Sequence, residues 1–282
     1  MLAKRLPTIL PDMSLSESLE TTRIYSVMGL LKAGQNIIRS RPFRSPHHTT
    51  SDVAIVGGGS IPRPGEATLS HNGVLFLDEL PEFNRNVLES LRQPLEDHCV
   101  TVARAARSTR FPSKFMLVCA MNPCPCGWYT DPKKECHCSP LQIQKYLSKI
   151  SGPLLDRIDL HLEVPALPSN DLMTNACAET SQAIKERILK ARSLQKGRCT
   201  GGDVAANGYM SHRQIKKFCA LDDEGKELLK KAIDELGLSA RAYDKILKVA
   251  RTIADLAGSE QVQTEHLAEA IQYRSLDRNW WG

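Results

Sequence analysis

The chain has 282 residues, 41% hydrophobic and 24% charged, with a formal net charge of +5. This is the make-up of a globular protein long enough for one large domain or two modest ones. No apolar run approaches the roughly eighteen residues that cross a bilayer, and the apolar part of MLAKRLPTILP is too short for a secretory signal. The expectation is therefore a cytoplasmic protein with no membrane partner. The small basic excess permits nucleic-acid contact through local patches without requiring it. Nine cysteines, an odd number with four packed between Cys124 and Cys138, do not fit a secreted disulfide framework.

Taken in order, Leu2–Leu10 reads as a helix broken by Pro7, and 14–28 as a second helix with Ser16 as its cap. His47 and His48 follow in a basic, turn-rich segment; on extended chain their side chains point to opposite faces, which argues against a shared metal ion. The glycine triplet of VAIVGGG (53–59) suggests a phosphate cradle, yet no Gly-Lys-Ser or Gly-Lys-Thr follows it, so it reads as a flexible loop.

Gly73–Glu79, GVLFLDE, organises the rest. Val74–Leu77 is a short unbroken apolar run, the pattern of a strand buried on both faces of a parallel sheet, and it ends at two carboxylates. Asp78 and Glu79 then sit at the carboxyl edge, where open α/β sheets bind ligands. In a nucleoside triphosphatase this is the Walker B arrangement, the first acid holding Mg²⁺ and the second polarising the attacking water. The bland alternative is a buried strand ending in a solvated acidic turn.

A helix is expected over Asn84–Glu96, from the roughly 3.6-residue spacing of Val87, Leu88, Leu91 and Leu95. Next comes a β-hairpin with Arg104, Arg107 and Arg110 near its tip, either a solvated tip or a contact for nucleic-acid phosphates. A second apolar strand, 114–120, leads into Asn122, placed to orient a hydrolytic water. Cys124, Cys126, Cys136 and Cys138 have the ligand count of a closed, structural zinc site, although one residue rather than two separates each pair. His137 is an alternative ligand, and reduced thiols without metal are the other reading. A short helix over 142–148 and a half-buried strand over Ile158–Val164 follow, with Arg157 just before the strand. Pro165 and Pro168 mark a domain boundary. Beyond it the helices expected are 180–195, 211–218, 222–235, 240–256 and 264–272, with Ser239 and Thr264 as caps.

The segments FRSPHHTTSDVAIVGGG, PRPGEATLSHNGVLFLDELPEF, VCAMNPCPCG, SGPLLDRIDLHLEVP and LSARAYDKILKVARTIADL, in this order, resemble the magnesium-chelatase-like AAA+ ATPases of the YifB/ComM competence branch over nearly the whole chain. The resemblance implies an α/β fold: an AAA+ αβα sandwich core with a parallel sheet over 1–167, followed by an all-α lid domain over 168–282. It implies ATP with Mg²⁺ as cofactor, assembly with itself into a hexameric ring, and DNA as partner. Carried over residue by residue, Asp78 becomes the Mg²⁺ ligand, Glu79 the catalytic acid, Asn122 sensor 1, Arg157 the arginine finger and Arg241 sensor 2. Residues 43–65 match the helix-2 insert, and the arginine hairpin matches the pre-sensor-1 hairpin. Family members carry a P-loop directly before a sequence like MLAKRLP, so the first core strand and Walker A loop are absent and weak nucleotide binding by this chain alone is expected. A zinc-stabilised, non-enzymatic module for nucleic acid or a protein partner is the competing expectation; a porphyrin-metallating activity has no site in the sequence.

Overall fold

The computed structural model describes residues 2–104, 107–129, 131, 133–165, 179–198 and 206–274. The chain divides into two compact units, Met1–Arg157 and Ile158–Gly282. The boundary expected at 167/168 lies outside the described residues.

The first unit opens with a 3-10 turn and helix α1 (Leu6–Ile9), in which Pro7 starts the helix rather than breaking it: at the first turn its missing N–H costs nothing. Helix α2 (Leu15–Val27) is capped by Ser14, not Ser16, through a capping box in which the Ser14 hydroxyl and the Glu17 carboxylate each take the other's backbone N–H. Strand β1 (Phe43–Arg44) follows. The glycine segment is not a loop: α3 (Asp52–Val56), capped by Ser51, runs into β2 (Gly57–Gly58), which pairs antiparallel with β3 (Arg63–Pro64). Gly57 has φ +103°, and a Cβ there would meet the Arg63 carbonyl, so these glycines serve a tight backbone crossing. Arg44 holds this region to α4 (Glu66–Leu69) through a bidentate pair with Glu66 at 2.6 and 2.7 Å.

Strand β4 (Val74–Leu77) has the buried character its sequence demands, with Val74, Leu75 and Leu77 fully covered. The stretch after it is two helices, α5 (Arg85–Ser90) and α6 (Arg92–Asp97), rather than one. Pro94 lacks the N–H that would bond the Ser90 carbonyl, and the break falls there. The hairpin is formed by β5 (Cys99–Arg104) and β6 (Arg107–Pro112), with Arg104 opposite Arg107. Strand β7 (Met116–Cys119) pairs parallel with β4 in the order β1-β4-β7, and among the described residues its far edge carries no strand. Helices α7 (Pro140–Leu147), capped by Ser139, and α8 (Gly152–Leu155) close the unit.

The second unit is helical: α9 (Ser181–Arg198), α10 (His212–Phe218), α11 (Asp223–Leu236), α12 (Ala240–Ala257) and α13 (Thr264–Gln272). Ser211, Asp222 and Ser239 cap α10, α11 and α12, whereas the last helix is capped by Gln263 and Thr264 is its first residue. Ile246, Leu247, Ala250 and Ala254 of α12 bury one face against Ile215, Leu229 and Leu267. The strand expected over Ile158–Val164 does not form. Leu162 and Val164 are 64% and 82% exposed, and no ladder partner exists among the described residues; His161 donates one backbone bond to the Tyr273 carbonyl at 2.8 Å.

Candidate active site

Three parallel strands end at one edge of the small sheet. The register Leu77↔Cys119 puts Asp78 and Glu79, just past β4, beside the segment leading to Asn122, just past β7. The Leu80 N–H donates to the Ala120 carbonyl at 3.0 Å, and the Ala120 N–H to the Leu77 carbonyl at 2.9 Å, so the two strand ends stay fastened beyond the sheet. Asp78, Glu79 and Asn122 are all exposed there. Glu79 adopts a left-handed backbone, φ 53° and ψ 48°, unusual for a residue with a Cβ, and its N–H donates to Asp78 Oδ1 at 3.0 Å.

His48, beyond β1, reaches the same edge, with Nδ1 3.1 Å from Glu79 Oε2. The pair with His47 is not splayed as extended chain predicts: the rings lie 4.0 Å apart between centroids, and His48 stands edge-on to Phe83 at 6.4 Å. Nothing in the local sequence signals the His48–Glu79 contact, because it depends on which strands are neighbours.

Arg157 ends the first unit with its guanidinium paired to Glu96 and hydrogen-bonded to the Pro153 carbonyl. Its side chain is only 9% exposed, and Nε is buried without a hydrogen-bond partner. Arg241 lies in the second unit, exposed in the first turn of α12. A cation at a helix N-terminus opposes the macrodipole, so the helix itself gives it no reason to be there. Of the hairpin arginines, Arg110 is exposed and donates from Nε to Cys99 Sγ at 2.9 Å; the Arg104 and Arg107 side chains lie outside the described residues.

The four clustered thiols converge. Cys124 Sγ is 3.3 Å from Cys126 Sγ and 3.7 Å from Cys136 Sγ, Cys126 Sγ is 3.6 Å from Cys136 Sγ, and all four sulfurs including that of Cys138 lie within 4.8 Å of one another. Backbone N–H groups point into them: that of Tyr129 reaches Cys124 Sγ at 3.4 Å, and that of Trp128 helps pull the Cys126 thiol down to about 6. Four sulfurs so placed could hold a metal ion, and His137 is not needed to complete the set.

A parallel sheet with Asp-Glu and Asn at adjacent strand ends, followed by a unit whose described regular elements are helices, is the arrangement of an AAA+ type α/β protein with a helical C-terminal region. The chain belongs to the magnesium chelatase family: residues 1–172 match the family described as magnesium chelatase, subunit ChlI, and residues 178–274 its C-terminal family. It is 49% identical over 281 residues to the competence protein ComM of Haemophilus influenzae, covering 99% of this chain and 53% of that protein. It is 44% identical over 279 residues to the uncharacterized protein YifB of Escherichia coli, covering 99% and 54%. An uncharacterized Mycobacterium tuberculosis protein is 40% identical over 275 residues, covering 97% and 54%. The chain thus spans about half the length of the curated relatives it matches. Among the described residues no helix is long and apolar enough to cross a membrane.

Proposed function

We propose that this chain is the nucleotide-hydrolysing part of a cytoplasmic, ring-forming AAA+ motor, hexameric when assembled, that remodels DNA, as in branch migration during recombination or transformation. The observation that carries the reading is the meeting of Asp78, Glu79 and Asn122 at the ends of adjacent parallel strands. Residues 1–167 form the core in this reading and 168–282 the lid. The competence named in the Haemophilus relative supports the DNA part, and the seven free cysteines among the described residues support a reducing compartment.

The chemistry follows from the residues. The exposed Asp78 carboxylate suits a hard cation that prefers oxygen ligands. Mg²⁺ held there would neutralise charge on the β- and γ-phosphates of ATP. Glu79 takes the proton of the attacking water, and Asn122 fixes that water's orientation. Arg241 neutralises the transferring phosphoryl group in its own subunit. Arg157 does so in the neighbouring subunit, exchanging its Glu96 partner for phosphate. Arg104, Arg107 and Arg110 contact DNA phosphates in the ring channel, which residues 43–65 also line. A structural zinc ion at the four thiols completes the cofactors.

The test is calorimetric titration of ATP with Mg²⁺ into this chain and into a protein extended to the length of its relatives. The extended protein should bind and hydrolyse ATP, with Glu79→Gln lowering turnover by about 10²–10⁴-fold while binding persists. If neither binds nucleotide, the reading falls and a zinc-stabilised binding module replaces it. DNA affinity should weaken steeply with salt; no affinity for single-stranded, duplex or branched DNA at low salt would remove the DNA role.

A further inference from the structure

The thiol cluster does not stand apart from the strand-end site. We propose that Cys124, Cys126, Cys136 and Cys138 form a closed zinc site whose occupancy sets the position of Asn122. With Zn–S bonds of about 2.3 Å, a tetrahedral ion holds its four sulfurs about 3.8 Å apart. The spacings of 3.3, 3.6 and 3.7 Å are close to the edges of that tetrahedron. They are far from the roughly 2.05 Å of a disulfide, and all these cysteines are free. Four soft donors favour zinc over the hard cation of the strand-end site. Binding displaces the thiol protons to solvent and leaves no open coordination position, so the ion organises chain rather than substrate.

What it organises is visible in the contacts. The first cysteine pair begins two residues after Asn122. Gly127, at φ +82°, turns the chain back so that a Cβ there would rest 3.8 Å from Asn122 Cγ and 3.9 Å from its Nδ2. The second pair leads directly into α7 through the Ser139 cap, and Tyr146 of that helix, almost wholly buried, faces the Asn122 backbone. Asn122 thus lies beside two arms, one arriving from each cysteine pair. The Lys134 ammonium over the Trp128 ring, 3.8 Å from its centroid, is a weak second tie across the same loop. The metal would be the strong one. Neither metal binding nor the ordering of this segment rests on reading Asn122 as a nucleotide sensor.

The purified chain, prepared without chelator, should carry about one zinc per molecule by elemental analysis. Exchange for Co²⁺ should give the charge-transfer and d–d bands of a tetrahedral tetrathiolate. Stripping the metal from the wild-type chain should speed amide hydrogen exchange about tenfold or more in residues 120–129 and 140–147, with zinc restoring protection and far-UV circular dichroism unchanged. Cys126→Ser with Cys136→Ser should lose the metal; Cys219→Ser should keep it. Absence of bound metal, or removal that leaves exchange around Asn122 unchanged, overturns the proposal. Should nucleotide binding fail while these metal results hold, the ATPase reading is lost and this one stands.

Discussion

Two clusters of charge, one in each unit, obey opposite rules. In the second unit Asp255 is fully buried and saturated: Arg198 clamps both carboxylate oxygens, Arg251 donates from Nε at 3.0 Å and Asn207 from Nδ2 at 2.8 Å. Arg251, itself buried, spends its remaining N–H groups on the carbonyls of Glu260 and Ser259. Burial alone would raise the Asp255 carboxyl, but the hydrogen bonds from Arg198 and Asn207 hold it below the usual range. In the first unit Asp78 and Glu79 stand exposed at a strand end, with a backbone N–H and one histidine for company. Saturated charge locks a fold together; charge left with open lone pairs is available to a ligand.

The comparison breaks if Asp255→Ala is tolerated. That change strands Arg251 in the core, and it should cost about 3–5 kcal/mol in urea unfolding of the second unit. Glu79→Gln, which nearly abolishes turnover in the proposed function, should by contrast move stability by no more than about 0.5 kcal/mol, as an exposed substitution does.

A third site lies between these extremes and sharpens the distinction. His71 is buried, and its Nδ1 accepts the Lys114 N–H at 3.0 Å while Nε2 faces Glu20 at 3.2 Å, an arrangement that the neutral Nε2–H tautomer satisfies. Burial holds its pKa below the ordinary value, so the folded chain binds fewer protons than the unfolded one. Stability should therefore be full above about pH 6.5 and decline as the pH falls below it. Thermal unfolding of wild type and His71→Gln across that range should show a shallower decline in the variant; equal slopes would clear His71 of the effect.

The elements carrying the proposed chemistry were legible because they are local. A four-residue apolar run ending in two acids cannot easily be anything but a buried strand with a polar edge, and β4 is that strand. Helices with a strong apolar face, such as α11 and α12, were placed within a residue or two for the same reason. What escaped depended on geometry or partners. Ser14 and Ser16 are equal candidates on paper, and only the return bond from Glu17 chooses between them. The Gly57–Gly58 strand exists because Arg63–Pro64 crosses it. The alternation of Ile158–Val164 is genuine, but alternation makes a strand only where another strand accepts its hydrogen bonds. Pro94, by contrast, is a local signal: its missing N–H outweighs the apolar spacing that suggests one continuous helix.

The left-handed backbone of Glu79 has a consequence for any programme of directed evolution. A β-carbon in that conformation costs on the order of 1 kcal/mol, which asparagine partly recovers through its tolerance of the region and glycine recovers at an entropic cost. A library selected only for heat resistance should therefore drift toward asparagine at position 79 and shed the proposed proton acceptor as it does so. Selection for turnover would keep glutamate and carry the strain from one generation to the next.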